Sequence, residues 1–370
     1  MPDLDAVVVG AGVIGLAIGR RLGELGLGTV VLERAGAIGQ ETSSHNSEVI
    51  HSGVYYPTRS KKARFCVAGR EALYGYCQQR GIPFRRCGKL IVASSAPELS
   101  ALTDLKNRAL DNGVNDVQWL SQGEANALEP EVSCIAALWV PCTGIIDSHT
   151  LLHTLCGDLE SFGGNLLLHT AITAAQAAQE VWKIETNTSG ECSTATTGWL
   201  INAAGLWAPE VARCIDGLTP ALIPRPYFAK GNYFTLGGIR PFTRLVYPMP
   251  DSAGLGIHAT IDLTGAVRFG PDVQWVDAPR YDVDNSRVAT FYEAIRKYFP
   301  ALPDGSLQPA YAGVRPKIAG PGAAAADFRI DGPSEHGMAG LINLYGIESP
   351  GLTSCLAIAD HVASLIVETA

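Results

Sequence analysis

Ala6-Val7-Val8-Val9-Gly10-Ala11-Gly12-Val13-Ile14-Gly15, carried on with helical spacing to Leu25 and closed by Val30-Val31-Leu32-Glu33, decides the fold. The short apolar run Ala6–Val9 predicts a strand, Val13–Leu25 a helix, and Val30–Leu32 a second strand, which together make a βαβ unit. Each glycine has a distinct task in such a turn. Gly10 permits the tight bend, Gly12 lets backbone N–H groups of the turn and of Val13 and Ile14 approach a pyrophosphate, and Gly15 allows close packing of helix on strand. Glu33 ends the second strand, eighteen residues past Gly15, where a carboxylate accepts bonds from ribose hydroxyls and disfavours a 2′-phosphate. The same stretch is not a secretory leader, because Asp3 and Asp5 precede it and Arg20 and Arg21 follow it, the reverse of a leader's charge order.

With 370 residues, 47% of them hydrophobic, the chain exceeds one domain and can bury a large core, so two intertwined domains are expected. A net charge of −8 offers no basic footprint for nucleic acid or anionic lipid. Nine cysteines, an odd number without CxxC or metal-type spacing, read as free thiols in a reducing cytoplasm. No apolar run is long enough to span a bilayer, which leaves peripheral membrane contact open.

Further along, the pattern predicts helices at 60–80, ended by Gly81-Ile82-Pro83, at 97–112, from Asp147 or Ser148 to Phe162, at 284–298 and at 352–367. Strands are predicted at 89–93, 137–140, 165–169, 181–186, 199–202, 227–236, 245–247, 255–260, 267–270 and 341–345. The fold class is α/β: a discontinuous Rossmann-type dinucleotide domain from 1–83, 145–215 and 311–370, and an antiparallel-sheet substrate domain from 84–144 and 216–310. The motif alone does not choose between NAD and FAD. After Glu33 the chain enters a polar loop, Gly39 to Tyr56, and soon leaves the domain instead of adding βαβ units, which favours FAD.

Thr42-Ser43-Ser44-His45-Asn46-Ser47 and Val49-Ile50-His51-Ser52-Gly53-Val54-Tyr55-Tyr56-Pro57 resemble the signature of the L-2-hydroxyglutarate dehydrogenase and oxidase family, within the D-amino-acid-oxidase-like flavoenzymes. The resemblance continues through Gly144-Ile145-Ile146-Asp147, Asn202-Ala203-Ala204-Gly205-Leu206-Trp207-Ala208, Tyr247-Pro248-Met249-Pro250, Leu255-Gly256-Ile257-His258-Ala259-Thr260, Gly270-Pro271, Ala312-Gly313-Val314-Arg315-Pro316 and Ser349-Pro350-Gly351-Leu352-Thr353. It departs at Glu48, where the family has glycine, and at Lys230-Gly231, where the family has Arg-Gly.

The resemblance implies a D-amino-acid-oxidase-like fold, bound FAD and oxidation of a 2-hydroxy acid, with the electron acceptor left open among oxygen, a quinone or another carrier. Such chemistry needs a base for the hydroxyl proton and a cation for the carboxylate. His258 is the expected base, since an imidazole titrates near neutrality. Arg315 is the expected carboxylate clamp through its two-pronged guanidinium. Lys230, Lys317, Tyr55, Tyr56 and Tyr233 are available as further donors, and His51 is open between substrate contact, loop support and a covalent flavin link. His45, Asn46 and Ser47 fall in the loop the family runs along the flavin ring, and Thr42, Ser43 and Ser44 in the part nearer pyrophosphate or ribitol. Arg34, Ala203, Gly205 and Trp207 are expected on the adenine half. Glu348, Ser349, Pro350, Gly351, Leu352 and Thr353 precede or open the final helix, whose N–H groups suit negative charge on a reduced flavin; helix capping by Ser349 is the alternative there. Oxidation of an amine or amino acid on the same fold, and a flavin-binding protein without turnover, are the competing functions.

Overall fold

The computed structural model describes residues 2–250 and 256–368, and Leu255 of the expected 255–260 strand lies outside them. The chain divides into two compact units, one of Met1–Ser44, Ser148–Phe228 and Arg315–Ala370, the other of His45–Asp147 and Ala229–Val314. Residues 45–83, expected in the dinucleotide domain, fall in the second unit. They do so because the helix Lys61–Arg80 and the strand Val49–Ile50 pack and pair there, the latter with Gly144–Ile146.

In the first unit, β1 (Leu4–Val9) lies between two parallel neighbours, β2 (Thr29–Leu32) on one side and the strand Glu191–Asn202 on the other. Val7 sits opposite both Val30 and Leu200. Parallel pairing continues outward to Asn165–Leu167 and to Leu341–Tyr345. Ala6, Val7 and Val8 are wholly buried. A strand covered on both faces reads as an unbroken apolar run instead of an alternating one. The helix α1 (Val13–Glu24) packs against Ser148–Ser161 and Gly351–Val367. The remaining strands, Thr170–Ala178 and Val181–Thr188, form an antiparallel meander running into Glu191–Asn202. Trp182 anchors the meander, buried in the core and donating from Nε1 to the Ala339 carbonyl at 3.0 Å.

The second unit is built on a nine-stranded sheet. Its strand Lys89–Ala93 pairs antiparallel with Ala136–Val140 but parallel with Leu245–Pro248, so the expected antiparallel sheet is mixed. A parallel pair needs a long crossover, and here more than a hundred residues, including an excursion into the first unit, separate the two strands. Phe234 and Phe291, with ring centroids 4.6 Å apart and tilted by 60°, belong to its main apolar cluster. Each such buried aromatic contributes about 2–3 kcal/mol by area. The single helix expected over 284–298 is a 3₁₀ turn at Asn285–Arg287 followed by an α-helix at Val288–Ile295. Asp284 bonds to the Ser286 amide at 3.1 Å and tightens that first turn.

Candidate functional site

The glycine turn is built as its spacing requires. Gly10 has φ +105°, a region that disfavours side chains, and a Cβ there would lie 2.8 Å from the Ala203 carbonyl oxygen. A Cβ on Gly15 would fall 1.8 Å from the Gly10 oxygen, so helix and strand touch as backbone. At Gly12 a Cβ would meet only Ser43 Oγ, at 3.0 Å. Gly12 is the N-cap of α1, with no side-chain cap and no acidic residue in the first turn. Those features leave the positive end of the helix suited to an anion, and Ser43 Oγ already stands there, accepting from the Val13 amide at 2.9 Å. The cradle fits a dinucleotide pyrophosphate.

Glu33 has a role the sequence did not reveal. Its carboxylate accepts from the Ala11 amide at 2.9 Å and from the Ala35 amide at 2.8 Å, pinning the turn from both sides. A carboxylate has about four acceptor positions, so ribose hydroxyls can share it. Beside it, the Arg34 guanidinium lies 4.1 Å from the Trp207 ring centroid and pairs with Glu41 at 3.2 Å, while Trp207 Nε1 donates to the same carboxylate at 3.2 Å. Glu41 was missed in the sequence because nothing local marks it. Asn202 donates to the Ala208 carbonyl at 2.8 Å and to Asn343 Oδ1 at 2.9 Å, fixing the strand end that leads to Ala203, and Gly205 has φ +55°. Thr42 and Ser44 flank Ser43, with Ser44 Oγ donating to the Glu41 carbonyl at 3.3 Å.

At the far end of the first unit, the final helix starts after its N-cap Pro350, which offers no side-chain cap. Gly351, Leu352 and Thr353 form its first turn, and the Gly351 amide donates to the Glu348 carbonyl. Glu348 is buried and pairs with Lys317 at 2.8 Å, and Arg315 is half-buried two residues earlier on the strand Leu307–Lys317.

The second unit holds His45, Asn46, Ser47, His51, Tyr56 and His258. His45 lies against Tyr281 with ring centroids 4.5 Å apart. Ser47 Oγ and Tyr233 Oη are 2.8 Å apart, Tyr233 stacks on Tyr311 at 4.4 Å, and Tyr311 donates to the Asn46 carbonyl at 2.6 Å. A Cβ on Gly313 would strike the His45 carbonyl at 2.1 Å, so this loop lies directly on a backbone. Glu48 has φ +56°, the left-handed conformation that explains why glycine suits the position. Its amide bonds to Asn46 Oδ1 at 2.7 Å and its carboxylate reaches Arg268 at 3.4 Å. Asn112 secures the segment after His51 by donating to the carbonyls of Gly53 and Tyr56 at 3.0 and 2.9 Å.

His258 is 6% exposed and stacks on Tyr247 with centroids 3.5 Å apart and planes 11° from parallel. Its carbonyl accepts from Gly270 at 2.9 Å. The His51 imidazole is pushed down to about 3, first by burial around Nδ1 and then by the positive charge of Lys89, so it is neutral at ordinary pH. Lys230, a candidate second cation, is buried and paired with Asp282 at 3.2 Å.

A family model for FAD dependent oxidoreductases (DAO) matches residues 5–365. The chain therefore belongs to that family, and FAD is its cofactor. The fold agrees: an L-alpha-glycerophosphate oxidase from Mycoplasma pneumoniae with FAD bound superimposes with a TM-score of 0.88 at 24% identity, covering 98% of this chain and 94% of that one. Glycine oxidase from Geobacillus kaustophilus gives 0.82 at 19%, covering 100% and 95%. Within the family the chain falls in the L-2-hydroxyglutarate dehydrogenase branch. It is 40% identical to the mitochondrial enzyme of that name from Arabidopsis thaliana, over 98% of this chain and 83% of the relative. It is 29% identical to the Escherichia coli (strain K12) enzyme, over 98% and 93%.

Proposed function

We propose that the protein oxidises the C2 hydroxyl of an L-2-hydroxy acid, L-2-hydroxyglutarate or a close analogue, to the 2-oxo acid. The observation that carries this reading is the match along nearly the whole chain to L-2-hydroxyglutarate dehydrogenase. FAD, when bound, supplies the hydride acceptor. The first unit takes the nucleotide-binding role, through Gly10, Gly12, Gly15, Ser43 and the Glu33 carboxylate that shapes the turn. The second unit supplies His258.

His258 accepts the hydroxyl proton. Its stacking on Tyr247 fixes the ring plane, which is what a base must have before substrate arrives. Arg315 holds the carboxylate next to the reacting carbon, because its fork matches two carboxylate oxygens. Among the described residues no helix is long and apolar enough to cross a membrane; the substrate is a small molecule, and free cysteines suit a reducing cytoplasm.

The test is product chemistry. Turnover of L-2-hydroxyglutarate with an electron-accepting dye gives 2-oxoglutarate and no ammonia. Ammonia released from an amino acid, with no reaction of the hydroxy acid, would transfer the assignment to amine oxidation. A flavin-loaded protein inert to both would be a binding protein.

A further inference from the structure

Lys89 stands out in the second unit. It is fully buried within Lys89–Ala93, an otherwise apolar strand, and its Nζ has no hydrogen-bond partner among the described residues. It contacts aromatic faces instead: Nζ lies 4.6 Å from the ring centroid of Tyr55 and 4.6 Å from that of Tyr247. Those two rings are nearly parallel, 18° apart with centroids at 6.4 Å, so the ammonium is held at the gap between them. His258 stacks on Tyr247 at 3.5 Å. That spacing leaves no room for an ammonium between imidazole and phenol, so Lys89 and Tyr55 meet the other face of Tyr247.

Two carboxylates approach neighbours of this stack but not Lys89 itself: Glu71 pairs with Arg70, and Asp116 bonds to the Cys142 thiol. Burial raises the Cys66 thiol, on the helix Lys61–Arg80, to about 12 and the Cys142 thiol, beyond Ala136–Val140, to about 11, and it holds the phenols of Tyr55, Tyr247 and Tyr298 protonated. Cys87, which precedes the lysine strand, is raised to about 11. Tyr233, near Tyr247 and on Tyr227–Leu236, has its hydroxyl 2.8 Å from Ser47 Oγ. His51 is neutral, and Arg70 adds a second positive charge, itself paired with Glu71 at 2.8 Å. Tyr298 donates to the Ile257 carbonyl at 3.0 Å, beside His258. A buried cation without a counterion costs several kcal/mol unless something offsets it. Two aromatic faces offset part of that cost, at about 2 kcal/mol for a desolvated cation–π contact.

We propose that Lys89 is a positioning residue whose ammonium, gripped by Tyr55 and Tyr247, fixes the ring on which His258 stacks and keeps that imidazole unprotonated. A protonated His258 would place a second cation on the opposite face of the same ring, within about 8 Å of the first. At such a separation, in a partly buried setting, like charges shift a titration by about one pH unit. The inference rests on the reading of His258 as the base, and it predicts that the base stays available below neutral pH.

The test compares Lys89→Met and Lys89→Arg with the wild-type holoenzyme. ¹⁵N-histidine NMR, with His258 assigned through His258→Gln, gives the imidazole titration directly, and anaerobic flavin reduction over pH 5–8 gives the kinetic limb. In Lys89→Met the His258 titration moves up by about one pH unit, and the acid limb of the rate moves with it. Lys89→Arg keeps both near wild type. An unmoved His258 titration in Lys89→Met, or equal movement in both variants, overturns the proposal, since loss of packing alone does not follow charge. A moved titration with an unmoved rate limb upholds the effect of Lys89 on His258 and removes His258 as the base. If Lys89→Met does not yield folded protein, Tyr55→Leu takes its place: weakening the grip moves the titration in the same direction, whereas Tyr55→Phe leaves it unchanged. No movement in Tyr55→Leu refutes the stack.

Discussion

Gly12 and Gly15, three residues apart, should fail for different reasons when substituted, and the contrast tests whether the N-terminal turn holds a dinucleotide. In Gly15→Ala the new methyl lies 1.8 Å from the Gly10 carbonyl, so backbone must move by about 1.5 Å to reach ordinary contact. Forced overpacking of this kind costs about 1–3 kcal/mol, and the rigid partner puts this case at the upper end. At about 2–4 °C per kcal/mol, the flavin-free protein should melt about 6 °C or more below wild type. In Gly12→Ala the methyl meets only Ser43 Oγ at 3.0 Å, and the most that is lost is that hydroxyl's bond to the Val13 amide, about 1 kcal/mol. The flavin-free Gly12→Ala protein should therefore melt close to wild type, while the methyl occupies the approach to the helix N-terminus. FAD at a hundred times its dissociation constant stabilises wild type by about 2.7 kcal/mol, and a tenfold weaker site forfeits about half of that. The assay is thermal unfolding of deflavinated protein with and without FAD, beside a fluorescence titration of FAD binding. If Gly12→Ala binds FAD as wild type does, the turn does not cradle the pyrophosphate. If flavin-free Gly15→Ala is as stable as wild type, the backbone contact is wrong.

His258→Asn should slow anaerobic flavin reduction by about 10²–10⁴-fold, the usual contribution of a positioned base, with FAD content unchanged; an unimpaired reduction rate would show that the proton goes elsewhere. Arg315→Gln removes a charge-assisted contact of about 1.5–3 kcal/mol and should raise the substrate KM by about 10–150-fold, read from steady-state kinetics, whereas an unchanged KM would release Arg315 from carboxylate binding. Glu48→Gly relieves a left-handed backbone, about 1–2 kcal/mol, but loses a half-exposed ion pair and gains unfolded-state freedom, so urea unfolding should find it within about 1 kcal/mol of wild type. Lys89 supplies a pH signature. Burial pushes its ammonium down to about 8, against 10.5 in the unfolded chain, so between those values the unfolded state holds the lysine proton more firmly and this one group adds stability as pH rises. The buried thiols of Cys66, Cys87 and Cys142 act in the opposite sense, because only the unfolded chain ionises them above about pH 9, so the lysine contribution is read as a difference: from pH 7 to 9.5 wild type gains about 2 kcal/mol relative to Lys89→Met, measured by urea midpoint.

The βαβ unit was legible because its cues are local: an unbroken apolar strand, three glycines whose missing Cβ atoms each have a neighbour to avoid, and Glu33 at the end of β2. The sequence named the right carboxylate but not its bonds to Ala11 and Ala35, which depend on how the turn closes. The departure at Glu48 was visible as a letter; only the backbone showed that the position needs a positive φ. The mixed sheet of the second unit was not readable, because parallel pairing of Lys89–Ala93 with Leu245–Pro248 joins segments remote in sequence. The small elements Gln118–Ser121 and Gln122–Leu128 escaped notice, although Ser121 and Glu124 form a capping box there. Lys89 left a trace, a lone charge in Lys89-Leu90-Ile91-Val92-Ala93. A lysine at the start of a strand usually faces solvent, so its burial between two tyrosines had to be seen.

The central claim is oxidation of an L-2-hydroxy acid by the bound flavin, and anaerobic mixing of the purified holoprotein with L-2-hydroxyglutarate tests it most directly, with the D-enantiomer and L- and D-amino acids in parallel. The L-hydroxy acid alone should bleach the oxidised flavin absorbance within a turnover. Bleaching by an amino acid instead, or by none of them while the flavin remains bound, would contradict it.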